Sequence, residues 1–211
     1  MLDFGFYNMD CMDGMSEFPD KYFDLAIVDP PYGIGKKLLN GGKTGKVKFH
    51  EMYELNEWDN YRPDKSYFQE LFRVSKNQII WGGNYYIDFL FPTRGIIVWD
   101  KNIGEPYNFS HFELAWTSFD CIARKVVISS NTGRKIHPTQ KPVALYEWLL
   151  SLYAKDGDII LDTHVGSASS LIACRNTNHK YVGFEINEDY YKQAKDRLDA
   201  ETAQMNIYDF L

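Results

Sequence analysis

Phe23-Asp24-Leu25-Ala26-Ile27-Val28-Asp29-Pro30-Pro31-Tyr32 is the stretch on which the fold turns. Its first half is a near-continuous apolar run, the pattern of a strand covered on both faces in a parallel sheet. Its second half stops that strand abruptly with an acid, two prolines and an aromatic. Loops beyond the carboxyl ends of parallel strands are where open α/β sheets bind their ligands. The segment therefore predicts both an architecture and the edge of the sheet that carries the chemistry.

Working outward, the same alternation of apolar runs and helical spacing repeats along the chain. Asn77–Gly82, Gly95–Asp100, Glu113–Thr117, Asp158–Asp162 and Lys180–Glu185 read as further strands. Between Pro63 and Ser75, Tyr67, Phe68, Leu71, Phe72 and Val74 gather on one side of a helix. Val143–Ala154, opened by Pro142, reads as a helix, as do Ala168–Asn176 and a last long one from Glu188 to about Ala200. No repeat or low-complexity linker divides the chain, so residues 1–211 are expected to form one domain.

Composition narrows the class. Hydrophobic residues make up 45% and aromatics 16% of 211 residues, enough for a sizeable core. No apolar run approaches the ~18 residues of a membrane span. Met1-Leu2-Asp3-Phe4 lacks the basic-then-apolar opening of a signal peptide, and the expectation is a cytoplasmic protein without a membrane partner. Cys11, Cys121 and Cys174 are far apart and form no C-x-x-C pair, so no metal site is expected. A net charge of -6 counts against nucleic acid as a partner, but the charge is unevenly spread.

Asp29-Pro30-Pro31-Tyr32 is the sharpest signal; such a string arises by chance in about one chain per thousand of this length. The residue types suit chemistry on an exocyclic amine of a nucleobase. That amine is a poor nucleophile because its lone pair is delocalised into the ring. A carboxylate (Asp29) and a rigidly held carbonyl (Pro30) that accept its two protons favour the pyramidal, nucleophilic form. Tyr32 offers a flat face for a base taken out of the helix stack.

A second signal lies downstream in Asp162-Thr163-His164-Val165-Gly166-Ser167-Ala168-Ser169. A strand ends in an acid and a glycine turn leads into a helix, the layout of a nucleotide-cofactor site. The next strand ends in Glu185, where an acid can bind ribose hydroxyls. No phosphate-binding loop is present, so a phosphate-free ligand such as S-adenosylmethionine fits better than NAD or ATP. A third segment, His137-Pro138-Thr139-Gln140-Lys141-Pro142, either contacts that cofactor or simply opens a helix; the residues alone leave both readings open.

These three motifs in this order resemble the beta-class amino-methyltransferases of DNA found in phages and restriction–modification systems. The resemblance runs from about Asp10 to Leu198, and Trp81–Tyr86 with the His137–Pro142 segment is most similar to phage and prophage adenine methylases. It implies a Rossmann-like, seven-stranded methyltransferase sheet with permuted connectivity, the catalytic motif preceding the cofactor motif. It implies that Asp29, Pro30, Pro31 and Tyr32 form the catalytic pocket for base flipping and transfer to the 6-amino group of adenine. It implies S-adenosylmethionine at the second signal: Asp162, Thr163, Gly166, Ser167 and Ser169 at the methionine end, Glu185 at the ribose, Asp10 at the adenine, His164 as an aromatic beside the cofactor, Cys11 and Ile186 as further cofactor contacts, and His137, Thr139, Gln140 and Lys141 completing the pocket. Double-stranded DNA is the implied partner, and a homodimer the implied assembly.

The sequence departs from the family in its cofactor turn, usually D-P-F-x-G-S-G. Thr163 and His164 replace the Pro-Phe pair, and Ala168 replaces the second glycine, on the expectation that a helix start there needs only an ordinary φ. These departures leave a weakly active or non-catalytic DNA-binding subunit as one alternative. Methylation of the 4-amino group of cytosine is another, since its chemistry is the same; Asp29, where such enzymes more often carry serine, favours adenine. Basic residues for phosphate contact cluster in a long Gly-rich stretch, residues 33–63, as Lys36, Lys37, Lys43, Lys46 and Lys48. Arg124, Lys125, Arg134 and Lys135 form a second basic group, in a stretch without helical or strand spacing, inside a candidate target-recognition region, residues 101–136.

Overall fold

A computed structural model describes residues 1–34, 59, 61–104, 110–133 and 135–208. Eight strands form one sheet: β1 (Gly5–Asn8), β2 (Phe23–Val28), β3 (Ser75–Trp81), β4 (Ile96–Asp100), β5 (Phe112–Thr117), β6 (Arg124–Val127), β7 (Ile159–Asp162) and β8 (Lys180–Glu185). The helices are α1 (Cys11–Ser16), α2 (Lys65–Val74), α3 (Val143–Tyr153), α4 (Ser169–Asn176) and α5 (Glu188–Tyr208), with a 3-10 turn at Gly83–Tyr85. The spatial order is β1-β8-β7-β2-β3-β5-β4-β6. The first five are mutually parallel; β5 runs antiparallel to both β3 and β4, and β6 is parallel to β4.

The apolar run of β2 is explained by its two covered faces. Ala26 and Val28 enter one cluster with Phe68, Leu71 and Val74 of α2, whereas Leu25 and Ile27 enter another with Leu145, Leu149 and Leu150 of α3. Side chains alternate across a strand, so only a run apolar at every position can fill both cores. α2 starts where Asp64 accepts the Ser66 N–H at 2.9 Å, a side-chain cap for one of the orphan donors of the first turn. A third cluster, with Phe6, Leu171, Ala194 and Leu198, seats α4 and α5.

Two expectations are corrected. Among the described residues the sheet has eight strands rather than seven; the additional one, β6, lies in the stretch that carries no periodic signal and lengthens the outer edge beside β4. Ala168 has φ 62 and ψ 18, a left-handed conformation rather than an ordinary helix start. The backbone keeps the geometry that glycine would supply without strain, and the chain holds it with an alanine at a cost of about 1–2 kcal/mol.

The parallel pairing places five strand ends on one edge. Asn8 is level with Glu185, and Asp162 with Gly183. Since Ala26 pairs with Leu161, Asp29 and Asp162 leave neighbouring strands at the same end.

Candidate active site

Asp29 stands just past β2 with both carboxylate oxygens engaged. Oδ1 accepts the Tyr32 hydroxyl at 2.7 Å, and Oδ2 faces the Lys141 ammonium in a close ion pair. The turn is braced from several sides. The Tyr86 hydroxyl lies 2.7 Å from the Pro30 carbonyl and 2.8 Å from that of Pro31. Asp59 accepts the Gly33 N–H at 3.0 Å. Tyr32 stacks on Tyr85 with ring centroids 4.8 Å apart and planes 16° off parallel. A side chain at Gly82 would place its Cβ 2.2 Å from the Tyr32 ring, and Gly82 also has φ 67; both facts require glycine here. Burial and the Asp29 charge push the Tyr32 phenol well above its usual range, so it remains a hydroxyl that donates.

Lys141 leads away from the pocket into the sheet. Its side chain is 2% exposed, yet it meets two carboxylates, that of Asp29 and that of Glu113 at 3.1 Å. Glu113 in turn meets Lys101 at 2.6 Å. Burial pushes the Glu113 carboxyl up, but the Lys141 and Lys101 ammoniums outweigh it and hold it below the ordinary value. For Lys141, burial works against the charge, and Asp29 and Glu113 override it.

The neighbouring strand end is built differently. Asp162 is buried; Oδ1 accepts the His164 N–H at 3.0 Å and Oδ2 accepts the Ser170 hydroxyl. Burial dominates these hydrogen bonds, and the carboxyl is pushed up to about 7. Thr163 Oγ1 lies 2.7 Å from the Tyr67 hydroxyl and 2.9 Å from His164 Nδ1. The His164 ring packs edge-on to Tyr67, and burial lowers it to about 4, so it is a neutral aromatic there. Arg197 of α5 donates to the Ser167 carbonyl at 2.6 Å and to Ser169 Oγ at 3.0 Å, pinning the turn from below. Glu185 accepts the N–H of Gly166 and of Asn187, each at 2.9 Å. Burial raises its carboxyl despite those bonds. A carboxylate has about four acceptor positions, which leaves room for two hydroxyl donors.

Asp10 caps α1 by accepting the Met12 N–H at 2.7 Å, and its charge reaches both Cys11 and His164. Burial pushes the Cys11 thiol up to about 12, which makes it an apolar wall and not a nucleophile. His137 packs edge-on to Tyr190 at 4.5 Å and lies over Gly166, while Thr139 Oγ1 sits 3.1 Å from His137 Nδ1. Gln140 turns onto its own loop, bonding Thr132 at 3.0 Å and the Ile136 N–H at 3.1 Å. Ile186 is exposed beside Glu185.

The chain thus brings together Asp10, Asp29, Asp162 and Glu185 with their turns. It places Arg124 and Lys125 at the start of β6, the outermost strand, away from this edge; Lys125 pairs with Asp100 at 2.8 Å. Lys135 is close enough to Lys101 and Glu113 that burial and the Lys101 charge lower it. Lys36, Lys37, Lys43, Lys46, Lys48 and Arg134 lie outside the described residues. Sequence reasoning missed Tyr67, Tyr86, Lys101, Glu113, Ser170 and Arg197. Of these, Glu113 leaves a trace: it falls on the same face of its strand as the buried Ala115 and Thr117, where a charge needs a partner.

A family model for DNA methylases modifying N6 or N4 amino groups matches residues 78–196. The chain belongs to this DNA methylase family. It is a DNA methyltransferase that acts on amino groups. It is 27% identical to the type II methyltransferase M.HpaI of Haemophilus parainfluenzae, over 89% of this chain and 71% of that one. It is 25% identical to the DNA adenine methyltransferase YhdJ of Escherichia coli K12, over 90% of this chain and 81% of that one. A crystal structure of M1.HpyAVI in complex with SAM superposes with a TM-score of 0.61 at 22% identity, covering 92% of this chain and 98% of that one. The fold is accordingly the Rossmann-like sheet of the methyltransferases.

The donor set of the cofactor turn can be tested against S-adenosylmethionine on chemical grounds. Three carboxylates, Asp10, Asp162 and Glu185, line one rim, where a phosphate would be repelled. A ligand with ammonium, sulfonium and ribose hydroxyl groups suits that rim, so the residues fit.

Proposed function

We propose that this methyltransferase modifies the 6-amino group of adenine in double-stranded DNA, with S-adenosylmethionine as donor. The observation that carries this reading is the pairing of two strand ends: the Asp29 carboxylate and Pro30 carbonyl end β2, directly beside the acid-lined turn that ends β7. Asp162, Thr163, Ser167 and Ser169 would hold the methionine end of the donor, Glu185 the ribose hydroxyls and Asp10 the adenine. Bound there, the donor supplies an electrophilic methyl group carried on a sulfonium.

The chain's own residues do the rest. With the base turned out of the duplex, Asp29 and the Pro30 carbonyl accept hydrogen bonds from its amino group and keep the nitrogen lone pair localised. The Pro30 carbonyl already accepts from Tyr86, and its second lone pair serves the substrate. Tyr32 is held in place by its stack on Tyr85, which sets its ring to pack against the base. Positioning and preorganised dipoles supply the rate enhancement, and no enzyme nucleophile is required. Asp at position 29, and the similarity to an adenine methyltransferase, favour adenine.

Cytosine-N4 methylation is the second reading, because the matching family model spans both amines. Incubation with S-adenosylmethionine and unmethylated DNA, digestion to nucleosides and mass spectrometry separate the two. N6-methyladenine is expected; N4-methylcytosine would keep the mechanism and overturn the base.

A further inference from the structure

Asp29 is occupied before any substrate arrives, and by a group that is costly to displace. An ammonium as deeply buried as that of Lys141, left with a single carboxylate partner, would resist losing it, because breaking a buried ion pair leaves an uncompensated charge away from water. A pocket built that way would hold its acceptor shut against the amine. Lys141 has a second partner, however, in Glu113 of β5. Glu113 is itself balanced by Lys101, so the chain of groups Lys101–Glu113–Lys141–Asp29 holds two cations and two anions. Trp81 lies under the Lys141 ammonium with its ring centroid 5.3 Å away, a further site of attraction that does not move with the substrate.

We propose that Glu113 is a positioning residue for methyl transfer: it retains the Lys141 ammonium between two carboxylates, so that the target amine can take over the acceptor capacity of Asp29 without leaving a buried cation unpaired. Glu113 acts through Lys141 and touches no reacting atom. Lys101 keeps the Glu113 charge from becoming surplus, and Lys135 adds a more distant positive charge to the same surroundings. The inference rests on the amine-acceptor role given to Asp29 above.

The test uses the full chain with Glu113→Gln, Glu113→Asp, Lys141→Met and the double variant Glu113→Gln/Lys141→Met, alongside Asp29→Asn. Single-turnover rates on duplex DNA and donor affinity by calorimetry are measured for each. The Gln variant is expected to lose about 10–100-fold in rate, the loss of roughly 1.4–2.7 kcal/mol of transition-state access, with donor affinity within threefold of the parent. Glu113→Asp is expected to recover most of the rate. The double variant is expected to be no slower than Lys141→Met alone, because the two residues act as one unit. An unchanged rate in Glu113→Gln, or additive losses in the double variant, would overturn the proposal. Should Glu113→Gln not fold, Lys101→Met reads the same network from its outer end; it is expected to slow transfer several-fold, and an unchanged rate there would also overturn it. Activity in Asp29→Asn would instead sink the amine-acceptor reading, whatever Glu113 does.

Discussion

Asp29 and Asp162 end adjacent parallel strands, and they are surrounded in opposite ways. Asp29 faces a buried ammonium and a phenol; Asp162 has one N–H and one hydroxyl, and burial pushes its carboxyl up to about 7. The same place in the fold therefore yields two different instruments. A carboxylate paired with a cation remains an acceptor for a neutral amine. One poised near neutrality gains its charge when a cation comes beside it, which suits the ammonium of an amino-acid ligand. The difference lies in side chains contributed from elsewhere: Lys141 from the segment before α3, Ser170 from within α4.

The sharpest way to break this contrast is to neutralise Asp29. Asp29→Asn keeps the shape and removes the charge; methyl transfer is expected to fall at least about a thousandfold in a single-turnover assay. Gly82→Ala attacks the same pocket by force, since its Cβ meets the Tyr32 ring on a backbone that already has positive φ. The strain and overpacking together are expected to cost about 2–5 kcal/mol, read as a lower melting temperature and a displaced Tyr32.

The contrast also predicts a pH dependence at Asp162, and its effect on donor affinity is the smallest of the set. Its carboxyl titrates near 7 in the folded chain and near 4 when unfolded, so the fold binds its proton more tightly. The stability this contributes is complete below about pH 4 and is lost as pH rises to 7. Relative to Asp162→Asn, the parent should lose on the order of 4 kcal/mol over that window in denaturant titrations. Donor affinity should move the other way, tightening about tenfold from pH 6 to pH 8 as the carboxylate forms, and the Asn variant should show a flat profile.

Much of this was legible in the sequence, for identifiable reasons. β2, β7 and β8 are apolar runs that stop at acids, so both the parallel sheet and the acids Asp29, Asp162 and Glu185 could be read from pattern alone. β6 could not: Arg124-Lys125-Val126-Val127 is short, lies on the sheet edge and is largely exposed, so no burial imposes a period on it. The left-handed backbone at Ala168 was hidden because an alanine stands where glycine would have announced it. The charge network was hidden for a different reason. Lys101, Glu113 and Lys141 are scattered along the chain, and only the pairing of β4 with β5 and the packing of the segment before α3 bring them within reach of Asp29.

The division of labour between the two strand ends is tested most directly by calorimetric titration of S-adenosylmethionine into Asp29→Asn and Asp162→Asn, side by side at pH 8. Donor affinity is expected to stay within threefold of the parent in the Asp29 variant and to weaken at least tenfold in the Asp162 variant. Equal affinities in the two, or the larger loss at Asp29, would contradict the assignment of amine chemistry to one strand end and donor binding to the other.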